Sequence, residues 1–247
     1  MVNERLRAAM ESRGINPVEL AHSVGVDPKT VERWIGTERV PYSRHRRAVA
    51  AKLEVGERYL WPNAVSIERA DRASQSEVVQ VYPHRNAVPD SLWDRLITEA
   101  RTYVDVLVYV GMFLTEKPTL VDTLRAKAES GARIRLLFGE RNSDAVIRRS
   151  LDEGIGRNTI SAKIDHALAH FAPLKGTRGV EIRTHDAVLY NSIYRFDDEM
   201  IVNPHVFGKL AAHAPAMHLR RLAAGELFTT YADSVDAVWE TARAHTW

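Results

Sequence analysis

Apolar residues in the first 62 positions of the chain recur every three to four residues, which is the spacing of amphipathic helices. In the second of these runs we expect Val18, Leu20, Ala21 and Val24 to face the core. The predicted helices cover residues 1–13, 17–24, 28–35 and 44–53.

Capping signals mark the ends of these helices. Asn16 and Asp27 are good N-caps, and each is followed by a proline at the first helical position. Gly25 is expected to end the second helix, because glycine readily adopts the left-handed conformation that ends a helix. Ser43 is expected to be the N-cap of the fourth helix. Two short helices joined by the turn 25–27 indicate a helix-turn-helix.

The pattern changes after a polar stretch, which we interpret as a linker at 63–77. Val104–Phe113 is a continuous apolar run and predicts a strand buried on both faces. Val188–Phe196 and Glu199–Phe207 predict a hairpin around Asp197 and Asp198. Further strands are predicted at 133–138, 180–183 and 217–222, and helices at 91–100, 120–130, 144–151, 160–172 and 228–239. Strands interleaved with helices indicate an α/β layered sheet for 78–247.

Composition narrows the protein class. The 247 residues suffice for two domains, here 1–62 and 78–247. The net charge of +2 excludes a broadly basic DNA wrapper but allows a local basic patch, and the absence of cysteine excludes disulfides and thiolate zinc sites. No apolar stretch reaches the about 20 residues of a membrane helix. We therefore expect a soluble, cytoplasmic protein with no membrane partner.

Basic residues concentrate where a helix-turn-helix would meet DNA. Five lysines and arginines and no acid lie between Arg39 and Lys52. Polar side chains at the start of the second helix of such a motif reach base edges. Lys29, Thr30 and Arg33 occupy that position here. The other interpretation is a helical bundle with a solvated charged face.

The segment NPVELAHSVGVDPKTVERWIGTERVP resembles the Xre/lambda-repressor type of helix-turn-helix. The residues that carry the resemblance are Leu20, Ala21, Gly25, Val31, Gly36 and Pro41. It implies that Lys29, Thr30 and Arg33 read bases, and we assign Arg39 and Arg44 to phosphates. The family commonly has glutamine where this chain has Pro17. We expect Asn16 and free amides at that helix end to replace its phosphate contact.

The runs LRAKAESGARIRLLF and VEIRTHDAVLYNSIYRFDDEMIVNPHVF resemble one half of a phospholipase D-like enzyme. Those enzymes carry His-x-Lys, an Asp after four residues and a distal Asn. The histidine attacks a phosphodiester and the lysine neutralises its charge. If Asp197 is the family Asp, Tyr190 takes the histidine position, Ser192 the lysine position and Asn203 the asparagine position.

A second register starts at His185 and places Ala187 at the lysine and Ser192 at the aspartate. No His-x-Lys occurs in the chain, so the resemblance implies the scaffold without its activity. Strand alternation predicts one face for Tyr190, Ser192 and Tyr194. Two interpretations of these hairpin residues remain. They form a polar ligand pocket in which Arg195 binds any anionic group of the ligand, or they are ordinary strand residues of a half-buried sheet. The candidate ligand-binding residues are Tyr190, Ser192, Tyr194, Arg195, Asn203 and His205.

We therefore expect an all-α helix-turn-helix domain followed by an α/β phospholipase D-like domain. The expected function is transcriptional regulation. The second domain forms a homodimer on an inverted-repeat operator in double-stranded DNA, and it senses a small effector. The alternatives are a phosphodiesterase or nuclease with altered catalytic residues, and a protein-docking module. We expect no cofactor and no metal, because a solvated helix face explains Asp165, His166 and His170 more simply than a metal site.

Overall fold

The computed structural model describes residues 2–37, 39–62, 75–223 and 225–247, except for the side chains of Ser43 and Arg58. The chain divides into two compact units, Met1–Arg72 and Ala73–Trp247. Of the predicted linker 63–77, residues 63–74 lie outside the described residues, so the linker stays a prediction. Its last residue, Glu77, differs from a linker residue because it is fully buried in the second unit.

The described part of the first unit is helical. Its core contains the fully buried Leu6, Leu20, Val31, Val49 and Leu53. All four predicted helices are present, and a short fifth helix follows them. The helices are α1 (Glu4–Arg13), α2 (Pro17–Val24), α3 (Pro28–Gly36), α4 (Ser43–Leu53) and α5 (Glu57–Leu60).

Two details of the first unit differ from the prediction. Helix α4 begins at Ser43, so Tyr42 and not Ser43 holds the N-cap position. Val18 is 61% exposed, although we expected it to face the core. The reason is angular: Val18 precedes Leu20 by two residues, which at 3.6 residues per turn places it on the far side of the helix.

The second unit is a mixed α/β structure built on an eight-stranded sheet. The strand order is β1-β7-β6-β5-β2-β3-β4-β8, in which β2, β3 and β4 run parallel and the other neighbours are antiparallel. The strands are β1 (Val78–Tyr82), β2 (Tyr103–Leu107), β3 (Arg133–Gly139), β4 (Val180–His185), β5 (Asn191–Phe196), β6 (Glu199–Pro204), β7 (Ala216–Arg220) and β8 (Arg243–Ala244).

Helices cover both faces of this sheet near β5. Tyr194 packs against Trp93 on one face, and the next residue, Arg195, lies against Phe228 on the other. The helices are α6 (Asp90–Glu99), α7 (Met112–Thr115), α8 (Leu120–Glu129), α9 (Asp144–Asp152), α10 (Thr159–Phe171) and α11 (Leu227–Thr241). None of the helices in the described ranges is both long and apolar enough to cross a membrane.

The predicted strand Val104–Phe113 is wrong in its second half. Strand β2 ends at Leu107, and α7 begins at Met112 after Gly111 adopts a left-handed conformation with φ 69°. Both segments are apolar because the first is buried and the second is half-buried, and an apolar run alone does not distinguish a strand from a loop and helix. The edge strands β1 and β8 were not predicted.

The predicted hairpin is confirmed as β5 and β6, which are shorter than expected. Asp197 forms its tip with φ 51°, and its carboxylate accepts N–H groups of Arg101, Thr102 and Tyr103 at 2.7, 2.8 and 2.7 Å. Burial alone would raise the pKa of Asp197, but these hydrogen bonds lower it. The aspartate thus fixes the hairpin to the start of β2.

Candidate functional site

The first unit contains an open groove of about 420 Å³ beside α3. It brings together four of the six expected DNA-binding residues, Thr30, Arg33, Arg39 and Arg44. The three arginines are exposed. Trp34 and Val26 form part of the apolar wall, so the groove combines cationic side chains with a rigid base.

The buried Arg46 holds the outer wall of this groove. Its Nε donates to the Glu57 carboxylate at 2.7 Å, and its guanidinium donates to the Pro41 carbonyl at 2.7 Å. The segment that carries Arg39 and Arg44 is thereby tied to α5. In the sequence Arg46 is one of five basic residues between Arg39 and Lys52, and nothing in the pattern indicates that its side chain is buried.

Lys29 and Asn16 do not line the groove. Lys29 is exposed at the start of α3, where its backbone N–H donates to Asp27. Asn16 Oδ1 accepts the N–H groups of Val18 and Glu19, and the Glu19 carboxylate accepts the N–H of Asn16. The amides that we expected to be free are therefore bonded within a capping box. Only the side-chain amide of Asn16 is left for a phosphate contact.

The second unit contains a cavity of about 190 Å³. It lies at the end of the β5–β6 hairpin and is lined by helices α7, α9 and α10. Ser192 and His205 line it, but the other four residues of the expected pocket do not. Three cationic residues, Arg85, Arg149 and Lys163, line it as well. These three come from distant parts of the chain, so no sequence pattern could have grouped them.

Ser192 and His205 form a hydrogen-bonded pair in this cavity. His205 Nδ1 lies 3.1 Å from the Leu189 carbonyl, which can only accept, so Nδ1 carries the proton. Nε2 then accepts the Ser192 hydroxyl at 3.0 Å. Burial and the nearby Arg149 lower the pKa of His205 to about 4, so the imidazole is neutral at pH 7. The Tyr109 ring stacks on it, with 5.7 Å between centroids.

The three cations of the cavity differ in their partners. Arg149 is paired with Glu153 at 2.6 Å and also donates to the Lys209 carbonyl. Arg85 lies 4.1 Å above the Phe113 ring, and its buried Nε has no hydrogen-bond partner. Within the described ranges, neither Arg85 nor Lys163 has an ion pair. The cavity therefore holds excess positive charge.

Three further residues of the expected pocket lie outside the cavity. Tyr190 precedes β5, so strand alternation does not apply to it, and its side chain is 79% exposed. Tyr194 is buried against Trp93 and Phe113. Asn203 is buried too, and its Nδ2 donates to the carbonyls of Ala214 and Pro215.

Arg195 lies on the opposite face of the sheet, contrary to its expected role as the partner of an anion. Its guanidinium contacts Asp105 at 3.3 Å and lies 4.9 Å from the Tyr103 ring. The cause is the pleat, which directs Ser192 and Arg195 to different faces because they are three residues apart. Arg195 belongs to a buried ion cluster, not to the cavity.

The second unit matches a known protein family. Residues 74–246 match the family described as "Domain of unknown function (DUF5919)". The chain belongs to the DUF5919 family. The matched DUF5919 range contains the whole sheet and all residues of the cavity. None of the curated proteins matches the chain.

Two solved structures are similar to this DUF5919 protein at low identity. One is a phospholipase D family member, Nuc from Salmonella typhimurium, with 15% identity and a TM-score of 0.44 over 68% of this chain and 97% of that one. The other is TrmBL2, an archaeal chromatin protein with a novel mode of DNA binding, with 14% identity and a TM-score of 0.43 over 89% of this chain and 72% of that one. At these values neither similarity bears on what this chain does.

Proposed function

We propose that this protein is a sequence-specific DNA-binding transcriptional regulator, in which α2, the turn at 25–27 and α3 form a helix-turn-helix. The groove beside α3 is the observation that supports this function best. It gathers Arg33, Arg39 and Arg44 beside Thr30, and none of the described residues that line it carries a carboxylate. DNA binding draws on such a concentration of arginine, because phosphate contacts supply much of the affinity.

The basic residues on α3 and those beside it have two different roles in this proposal. Lys29 and Arg33 are four residues apart, so they share one face of α3 and reach base edges in the major groove. Arg39 and Arg44 flank that face and hold phosphates. Loss of a base contact changes sequence preference, whereas loss of a phosphate contact weakens binding to all sequences alike.

Gel shifts on an operator selected from random DNA test this function. We expect Arg33→Ala to lose about 1–3 kcal/mol on the selected operator and to relax specificity, and Arg44→Ala to weaken selected and random DNA equally. Lys52→Ala is the matched control, since it removes one charge from the same helix about 12 Å from Arg44. Full affinity and selectivity in Arg33→Ala would contradict the proposal.

We propose that the second unit is a phospholipase D-like scaffold that joins two copies and senses a ligand. Two helix-turn-helix units held about one helical turn of DNA apart read an inverted repeat. An exposed apolar patch supports self-association. It lies where the ends of the β5–β6 hairpin run side by side, with the Tyr190 carbonyl bonded to the His205 amide. The patch consists of Val188, Tyr190, Val206 and Phe207.

We also propose that the second unit does not cleave phosphodiesters by the phospholipase D-like mechanism. Tyr190 and Ser192 provide neither an imidazole nucleophile nor an ammonium group at the family positions. An assay on single- and double-stranded DNA and on a generic phosphodiester tests this point. Turnover that survives repurification but is lost in His205→Ala would favour the alternative function, a phosphodiesterase with altered catalytic residues.

A further inference from the structure

We infer, on the basis of the sensing role proposed above, that the cavity of the second unit binds a small organic carboxylate with an apolar body. The ligand's carboxylate lies at Arg85 and Lys163, and its body lies among the apolar side chains of the cavity. Charge, lining and size each narrow the ligand class.

The charge of the cavity calls for an anion. Of the described residues that line it, Glu153 alone is acidic, and it is already paired with Arg149, whose guanidinium also donates to the Lys209 carbonyl. Arg85 and Lys163 have no acidic partner in the described part of the chain. The buried Nε–H of Arg85 has no hydrogen-bond acceptor either. A buried donor without an acceptor destabilises a protein, so a bound anion that accepts this hydrogen bond would remove that cost.

The remaining lining calls for an apolar body. Val110, Met112, Ile160 and Leu210 contribute aliphatic side chains, and the Tyr109 ring stacks on the neutral His205 imidazole. Burial of apolar ligand surface against such a lining is favourable. A carboxylate with an apolar body complements this wall better than a fully hydrated inorganic anion.

The size of the cavity sets the upper limit. Its volume of about 190 Å³ is smaller than the roughly 300–1,000 Å³ that is usual for pockets that hold drug-sized ligands. A nucleotide or a phosphodiester flanked by nucleosides is too large to be enclosed. A compact monocarboxylate fits all three requirements.

Calorimetry and thermal unfolding of the full chain with sodium benzoate and sodium hexanoate test the inference. We expect saturable binding of at least one of them with a rise in Tm. Benzamide, which has the shape of benzoate without its charge, should bind at least tenfold more weakly. Inorganic phosphate and AMP should bind more weakly than the carboxylate.

Variants locate the site. Lys163→Met keeps the aliphatic part of the side chain and removes an ammonium group that has no ion pair among the residues the structure describes. The fold should therefore persist, while carboxylate affinity falls at least tenfold. Lys175→Met, on an exposed lysine elsewhere in the same unit, is the matched control and should bind normally. Ala211→Trp fills the cavity and should abolish binding.

Three results would overturn the inference. They are no saturable binding of either carboxylate, equal binding of benzamide, and unchanged affinity in both Lys163→Met and Ala211→Trp. Gel shifts in the absence of carboxylate keep the two proposals apart. DNA binding without carboxylate binding removes the ligand class alone, whereas carboxylate binding without DNA binding removes the regulator function.

Discussion

Asp105 and Arg135 lie opposite each other on the parallel strands β2 and β3 and are joined by two hydrogen bonds of 2.7 and 2.9 Å. Both side chains are almost completely buried. Arg195 faces the same carboxylate from β5 at the longer distance of 3.3 Å. Burial lowers the pKa of Arg195, and the nearby Asp105 only partly offsets this effect. Asp105 is thus the buried carboxylate shared by two buried guanidinium groups, and the half-exposed Asp236 pairs with Arg135 at 2.7 Å from the other side.

Removal of this carboxylate should destabilise the second unit strongly. We expect Asp105→Asn to cost about 3–5 kcal/mol in urea unfolding, because it removes the buried counter-charge of Arg195 and leaves Arg135 with only the half-exposed Asp236. Arg13→Ala, which breaks the exposed pair with Glu54, should cost at most about 1 kcal/mol. A similar small loss for both variants would show that the cluster contributes little to stability.

Glu77 should matter for stability although it stands at the edge of the predicted linker. Its carboxylate accepts the N–H groups of Leu222, Leu227 and Phe228 at 3.3, 2.8 and 3.3 Å and thereby caps α11. We expect Glu77→Ala to cost about 1–3 kcal/mol in urea unfolding. Gly225→Ala should also destabilise, since its Cβ would collide with the Glu77 carboxylate. Unchanged stability in both variants would contradict this contact.

Acid should weaken the second unit through Glu199. Burial alone would raise the pKa of Glu199, but hydrogen bonds from Arg95 and His218 lower it to about 2, from an ordinary 4.5. A lowered carboxyl pKa stabilises the fold above pH 4.5, and this contribution is lost as the pH falls from 4.5 towards 2. Glu199→Gln should therefore flatten the dependence of unfolding free energy on pH in that window. An unchanged slope would contradict the assignment.

The apolar patch around Phe207 should carry the proposed dimer. Phe207 is 78% exposed, and a charged side chain there would have to be buried in any interface that covers the patch. We expect Phe207→Glu to sediment as a monomer at micromolar concentration and the unmodified protein as a dimer. Val79→Glu, which introduces the same charge at an exposed valine on the edge strand β1, is the control and should remain dimeric. A dimeric Phe207→Glu would place the interface elsewhere.

Local signals explain why the helices of the first unit could be predicted. Asn16, Gly25 and Asp27 mark helix ends through contacts within four residues of sequence, and such contacts are visible in the pattern. The strand order could not be predicted in the same way. Strand β1 exists because Val78 meets Leu219, and nothing near either residue announces that pairing.

For the same reason, only some of the residues that line the cavity could be predicted from the sequence. Ser192 and His205 belong to one hairpin, so their proximity followed from the pattern. By contrast, Arg85, Arg149 and Lys163 lie on separate elements, which only the folded chain brings together around the cavity. The alternation that predicts one face for Ser192 and Tyr194 also directs Arg195 to the other face, as the structure has it.

The position of β1 at the edge of the sheet governs the order of assembly during synthesis. Its partner β7 leaves the ribosome after a further 140 residues or so, which at about 5–20 residues per second takes roughly 7–30 s. For that time a strand with the apolar Val79 and Val81 has no neighbour to satisfy its amides. Strand β1 therefore joins the sheet only after β7 has been synthesised, and contacts between residues so far apart in sequence form slowly. Until β7 has been synthesised, β1 is an unpaired edge of the kind at which aggregation starts.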